Sequence, residues 1–253
     1  MKWCLDTEEK EHMFLTLFNK SSDWKANGGS NILIAIIDSG IDLRHPTLAS
    51  ALWSDDGIYG YDFTEPDNIK PIELDDSNEY KKEHYEHGTA VAGIIGMQIY
   101  STDGYTCRGI APGAKIIDLQ ISNNDTKPTT LAAIAALEKA EELGAKIVNM
   151  SFATTNYDMA LNLACNKAAR NKVLIAASGN ERTNEKMFYP AAFSSVIGVM
   201  AYGGSSEDIV VTDDTSESYI NNNYPSGTQI MYDSSNYDAR LVYYDIIAPG
   251  VNI

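Results

Sequence analysis

Six consecutive apolar residues, Ile32-Leu33-Ile34-Ala35-Ile36-Ile37, form a run of strand length without alternation. Such a run predicts a strand buried on both faces, as in a parallel sheet. Similar runs recur at Lys115–Ile121, Lys146–Met150, Val173–Ala177 and Val196–Ala201. Helical patterns lie between them. Thr129-Thr130 opens one, with Leu131, Ile134 and Leu137 expected inward, Glu138, Lys139, Glu141 and Glu142 outward, and Gly144 as the stop. A second helix is expected from about Tyr157 to Arg170. Strands alternating with helices predict an α/β fold: one open, mostly parallel central sheet with helices on both faces. His87-Gly88-Thr89-Ala90-Val91-Ala92-Gly93-Ile94-Ile95-Gly96 is apolar on nearly every side, which predicts a buried helix with His87 in its first turn. Gly88 and Gly93 lower helix propensity, so close backbone packing is expected at both.

Two stretches break the rhythm. Residues 50–86 are rich in Asp and Glu, and residues 203–244 in Ser, Asn, Asp and Tyr. Both read as long surface excursions of solvated loops and small hairpins. No composition break divides the chain, so one domain is expected over 30–253. Residues 1–29 form an N-terminal extension in which Phe14, Leu17, Phe18 and Trp24 suggest a short amphipathic helix packed on that domain.

Composition narrows the function classes. At 253 residues, with 44% apolar and 21% charged, the chain is of ordinary globular make-up and can bury a large core. Its formal charge of −16 repels phosphate backbones and anionic headgroups, so neither nucleic acid nor membrane is an expected partner. No window approaches eighteen consecutive apolar residues. The opening MKWCLDTEEKEHMF has acids where a secretory signal needs an apolar stretch. Cys4, Cys107 and Cys165 are odd in number and widely spaced, which fits a reducing compartment better than a disulfide framework or a zinc site. The cytoplasm is the expected location, with secretion the alternative if the N-terminus is incomplete.

In an open parallel sheet, ligands and catalytic groups collect beyond the carboxyl ends of the strands. The first predicted strand ends in Asp38-Ser39-Gly40, the third in Ser151-Phe152-Ala153 and the fourth in Ser178-Gly179-Asn180. An acid after six apolar residues is costly to bury without a partner, so Asp38 should have one. Taken alone, Asp38 reads as a turn or helix-capping residue. His87 alone reads as packing or capping, and Asn180 alone as a left-handed turn residue. As a pair, Asp38 and His87 suit general base catalysis, because a carboxylate holds imidazole in one tautomer and stabilises its protonated form.

The phrases Ala35-Ile36-Ile37-Asp38-Ser39-Gly40-Ile41-Asp42, His87-Gly88-Thr89-Ala90-Val91-Ala92-Gly93, Arg108-Gly109-Ile110-Ala111-Pro112-Gly113-Ala114, Val148-Asn149-Met150-Ser151, Ala176-Ala177-Ser178-Gly179-Asn180 and Ile247-Ala248-Pro249-Gly250 stand in this order. Together they resemble subtilisin-like serine proteases over roughly residues 30–253. The resemblance implies a serine endopeptidase with Asp38 as orienting acid, His87 as general base and Asn180 as the oxyanion-hole amide. It further implies that an extended peptide or protein substrate pairs along Ser151-Phe152-Ala153, with Ala153 where the family usually has Gly.

The family's nucleophile lies in a Gly-Thr-Ser phrase opening a buried helix shortly after Ala-Pro-Gly. Here Val251-Asn252-Ile253 follows Gly250. Ser226-Gly227-Thr228-Gln229 has Gly-Thr but continues with Gln and precedes Ala-Pro-Gly, so it is not accepted as the nucleophile. The expectation is a chain lacking the C-terminal part of the fold, with the Ser beyond residue 253 and an uncovered apolar groove beside His87. The alternative is a catalytically inactive, peptide-binding pseudoprotease. No cofactor and no metal ligand is expected. After His45-Pro46 the family often has an Asp that helps hold calcium, and Thr47 supplies a poorer oxygen, so calcium is not expected there, and the acidic 50–86 excursion is the alternative place for ions. Other chemistries fit less well. His84-Tyr85-Glu86-His87 matches no zinc-helix spacing, and neither Gly-x-Gly-x-x-Gly after a strand nor Gly-x-Ser-x-Gly occurs.

Overall fold

The computed structural model describes residues 28–74, 82–98, 100–102, 105–181, 183–205, 229–231, 235–236 and 244–249. The expected N-terminal amphipathic helix, Ser226-Gly227-Thr228 and the last residues 250–253 lie outside the described residues. In chain order the elements are β1 (Leu33–Asp38), β2 (Ile58–Asp62), β3 (Lys70–Glu73), α1 (Lys82–Gly96), β4 (Tyr100–Thr102), β5 (Tyr105–Cys107) and β6 (Lys115–Gln120). There follow α2 (Thr130–Glu142), β7 (Ile147–Met150), α3 (Met159–Ala168), β8 (Val173–Ala177), β9 (Ile197–Ser205), β10 (Gln229–Met231) and β11 (Ile246–Pro249). Every strand and helix expected from the apolar pattern is present, with ends displaced by a few residues at most, apart from the start of α1. Two compact units contain them. The first is Met1–Ser151 with Asp158–Leu174, and the second is Phe152–Tyr157 with Ile175–Ile253.

In the first unit the strands run β3-β2-β6-β1-β7. β1 pairs in parallel with both β6 and β7, and β2 with β6, while β3 is antiparallel to β2. The β1–β6 register sets Ile36 opposite Asp118 and Asp38 opposite Gln120. Ala35, Ile36, Ile37, Ile116, Ile117 and Leu119 are fully buried, as continuous apolar runs covered on both faces must be. Each large aliphatic chain taken from water contributes about 1.5–3 kcal/mol. On one face Ile36 and Ile116 join Ile41, Leu48, Ala51, Leu52 and Ala92 of α1. Helices α2 and α3 pack on each other, and α2 lies against β1 and β6.

Three local expectations are corrected. Leu131 is 56% exposed, because the buried stripe of α2 consists of Ala132, Ala133, Ala136, Leu137 and Ala140. Four alanines bring the helix so close that the larger Leu131, one residue off the stripe, is left in solvent. α1 starts at Lys82, so His87 stands in the second turn, and most of its apolar run is half-buried. A Cβ on Gly93 would meet nothing within 4 Å among the described residues, so close packing holds for Gly88 alone.

In the second unit β8, from Ile175, pairs in parallel with β9, which also pairs in parallel with β11 and antiparallel with β10. Phe152–Tyr157 joins this unit through a two-way bridge: the Thr154 N–H donates to the Tyr189 carbonyl at 2.9 Å and the Tyr189 N–H donates to the Thr154 carbonyl at 2.8 Å. The rings of Tyr157, Tyr189 and Phe193 cluster with centroids 4.8–5.9 Å apart. The 203–244 stretch is not all surface, because Ser235, Asn236 and Tyr244 are buried. Among the described residues no helix is long and apolar enough to cross a membrane.

Candidate active site

Asp38 closes β1, and its side chain is 4% exposed. The turn after it is pinned from β6. The Ile121 N–H donates to the Asp38 carbonyl at 2.8 Å, Gln120 Nε2 donates to the Ser39 carbonyl at 3.0 Å, and the Ile41 N–H donates to Asp118 Oδ2 at 2.9 Å. Gly40 is left-handed at φ 98°, and the Tyr85 ring occupies the place where a Cβ would stand. The same turn is bonded to α1. The Gly88 N–H donates to Ser39 Oγ at 3.1 Å, and the Asp42 N–H donates to Thr89 Oγ1 at 2.8 Å. A Cβ on Gly88 would overlap the Gly40 carbonyl oxygen. The residue types in Asp-Ser-Gly-Ile-Asp and His-Gly-Thr are thus the two halves of one helix-to-turn junction.

That junction sets the imidazole. His87 Nδ1 lies 2.7 Å from Asp38 Oδ1, which also accepts the Ser39 N–H at 2.6 Å. The His87 side chain is 62% exposed, and among the described residues its Nε2 takes no hydrogen bond. Bonding to Asp38 lifts the His87 pKa above the ordinary imidazole value; partial burial opposes this and the carboxylate charge adds to it. A raised imidazole pKa stabilises the fold fully below about pH 6.5, and that contribution is lost as pH rises through the folded value. Asp38→Asn is expected to bring His87 back toward the ordinary value, read from its ring proton shifts in an NMR titration. An unchanged midpoint would show that Asp38 does not set it.

Sequence reasoning missed Asp118, whose signal was an acid inside the run Lys115–Ile121. It is 1% exposed, and burial pushes its carboxyl up to about 8, with the Asp38 and Asp62 charges adding and the Ile41 N–H opposing. The folded chain therefore keeps a proton that the unfolded chain releases near pH 4, and stability falls as pH rises from about 4 to 8. Asp118→Asn keeps an acceptor for Ile41 and removes that titration. Urea unfolding should give parity with the parent at pH 4 and an advantage on the order of a few kcal/mol at pH 8. A parallel pH profile for both chains would contradict this.

Of the other candidates, Ser151 follows β7 in the first unit, and its Oγ accepts from Asn149 Nδ2 at 2.8 Å. Phe152, Ala153 and Asn180 belong to the second unit. There a Cβ on Gly179 (φ 95°) would lie 3.5 Å from the Ala153 methyl, so the Ala153 edge adjoins the turn that leads into Asn180. Asn180 is exposed. Thr47 Oγ1 stands 3.1 Å from His45 Nδ1. Among the described residues no three His, Cys, Asp or Glu side chains are grouped to hold a metal ion.

A buried strand-end carboxylate gripping a helix-borne imidazole, on an α/β sheet with these motifs in this order, defines a class. The subtilase (S8 peptidase) family model matches residues 29–253, and the chain belongs to that family of subtilisin-like serine peptidases. Among its relatives, the minor extracellular protease Epr of Bacillus subtilis is 36% identical over 180 residues, 70% of this chain and 24% of that protein. Thermitase of Thermoactinomyces vulgaris is 30% identical over 177 residues, 70% of this chain and 57% of thermitase. The solved structure of fervidolysin from Fervidobacterium pennivorans, described as a keratinolytic enzyme related to subtilisin, superposes with TM-score 0.66 at 25% identity, over 93% of this chain and 31% of that one. The chain therefore spans less than two thirds of the length of these proteins.

Proposed function

We propose that this chain carries the acid–base half of a serine endopeptidase whose nucleophilic Ser is encoded beyond Ile253. The observation that carries the reading is the 2.7 Å bond between Asp38 Oδ1 and His87 Nδ1, made by an imidazole that is 62% exposed and whose Nε2 takes no hydrogen bond among the described residues. With its Nδ1 proton held by Asp38, His87 is neutral at Nδ1–H and presents a lone pair at Nε2. That lone pair takes the proton of the attacking hydroxyl as the Ser oxygen bonds to the substrate carbonyl carbon. Asp38 stays ionised and stabilises the imidazolium. The Asn180 carboxamide donates to the oxygen that becomes negative, and His87 returns its proton to the departing amine. Water, activated by the same base, then releases the acyl group. An extended peptide or protein lies along Ser151-Phe152-Ala153, held by main-chain hydrogen bonds.

A Cβ on Gly93 would meet nothing within 4 Å among the described residues, which supports a further segment packing on that flank of α1. The buried, unpaired Cys165 supports the cytoplasmic reading. The test is to express the chain with the coding sequence that follows Ile253 and to supply an unfolded polypeptide. Cleavage at internal bonds, with a Gly-Thr-Ser phrase a short distance downstream, is expected. A stop codon at that point, with an extended peptide bound and never cut, favours the pseudoprotease instead.

A further inference from the structure

Asn236 has no exposed surface, and its side chain is spent entirely on one loop. Its Nδ2 donates to the Ser178 carbonyl at 2.8 Å, and its Oδ1 accepts the N–H groups of Glu181 at 2.9 Å and Thr183 at 3.2 Å. Its own N–H donates to the Gly179 carbonyl at 2.9 Å, and its carbonyl accepts Ser178 Oγ at 3.1 Å. Gly179 leaves the room this requires, since a Cβ there would stand 2.6 Å from Asn236 Nδ2 and 3.2 Å from the Phe188 ring. The clamp rests on β9: Ser235 Oγ accepts the Ala201 N–H at 2.9 Å, and the Ser178 N–H donates to the Val199 carbonyl at 2.9 Å. Residues on both sides of Asn180 are thus bonded to one distant residue. Asn180 itself is exposed, and among the described residues its carboxamide takes no hydrogen bond.

We propose that Asn236 is a positioning residue: it wraps the Ser178–Thr183 loop round its buried carboxamide and thereby aims the Asn180 amide at the substrate oxygen. The proposal rests on the oxyanion reading of Asn180 given above. A donor works there only if it is already aimed, because reorientation during the reaction cancels its advantage and a displacement near 1 Å costs on the order of 10²-fold.

The test uses the chain with its downstream coding sequence. Asn180→Ala is expected to lower kcat by about 10²–10³-fold. Asn236→Ala should lower kcat by roughly 10–10²-fold with KM little changed, and by less than about 3-fold once Asn180 is already Ala. Amide exchange supplies a readout free of catalysis: the Glu181 and Thr183 N–H groups should exchange at least about tenfold faster in Asn236→Ala while β1 keeps its protection. If Asn236→Ala does not fold, Asn236→Ser replaces it in all three measurements. Unchanged kcat in Asn180→Ala would overturn the oxyanion reading. A full loss there, combined with an additive double variant or unchanged exchange at Glu181 and Thr183, would overturn the clamp alone.

Discussion

His87→Ala, in the chain carried through its downstream sequence, is expected to lower kcat by about 10⁴–10⁶-fold with little change in KM. The size follows from what the imidazole does. Without it the hydroxyl must lose its proton to water and the amine must leave without one, and Asp38 remains as a buried carboxylate without its imidazole partner. On the proposal that substrate pairs along the Ser151-Phe152-Ala153 main chain, binding does not depend on the ring and should survive. Steady-state hydrolysis of an extended peptide gives both constants. A loss of tenfold or less would remove His87 from the reaction.

Gly88→Ala should have the second large effect, felt through stability and through the pair between Asp38 and His87. The added methyl overlaps the Gly40 carbonyl oxygen and stands 3.1–3.2 Å from other Gly40 backbone atoms, so no side chain can rotate to make room. Either α1 retreats from the turn or the turn opens, at a cost of about 3 kcal/mol or more. The Gly88-to-Ser39 and Asp42-to-Thr89 bonds then lengthen together with the pair between Asp38 and His87. Urea unfolding should show the lost stability, and the His87 titration should shift toward ordinary imidazole. Gly93→Ala is the control. It adds a methyl where nothing lies within 4 Å among the described residues, and in the 253-residue chain it should be neutral or stabilise by up to about 1 kcal/mol. Equal damage from the two substitutions would contradict the junction.

Much of this was legible in the sequence because the strands are short, continuous and buried on both faces, which leaves little freedom in reading them. The strand ending at Asp38 and the helix bearing His87 were visible for that reason, and the order of the phrases gave the family. Their 2.7 Å contact was not legible, since two positions 49 residues apart meet only through the Gly40–Gly88 approach. The start of α1 was misjudged because Lys82–Glu86 has no apolar periodicity to announce a helix. Leu131 falls on the inward face by its spacing from Ile134 and Leu137, whereas four alanines and Leu137 set the buried stripe. Asn236 was hidden in a polar stretch that composition assigns to solvent, although a carboxamide that satisfies three backbone groups is worth burying.

The most direct measurement is the rate of covalent labelling by a fluorophosphonate, followed against pH in the chain with its downstream sequence. Labelling should fall on one serine, rise with pH through the elevated His87 midpoint read by NMR, drop by orders of magnitude in Asp38→Asn, whose amide no longer holds the proton on Nδ1, and vanish in His87→Ala. A serine that reacts at full rate without that imidazole, or with no inflection at its midpoint, would contradict the account.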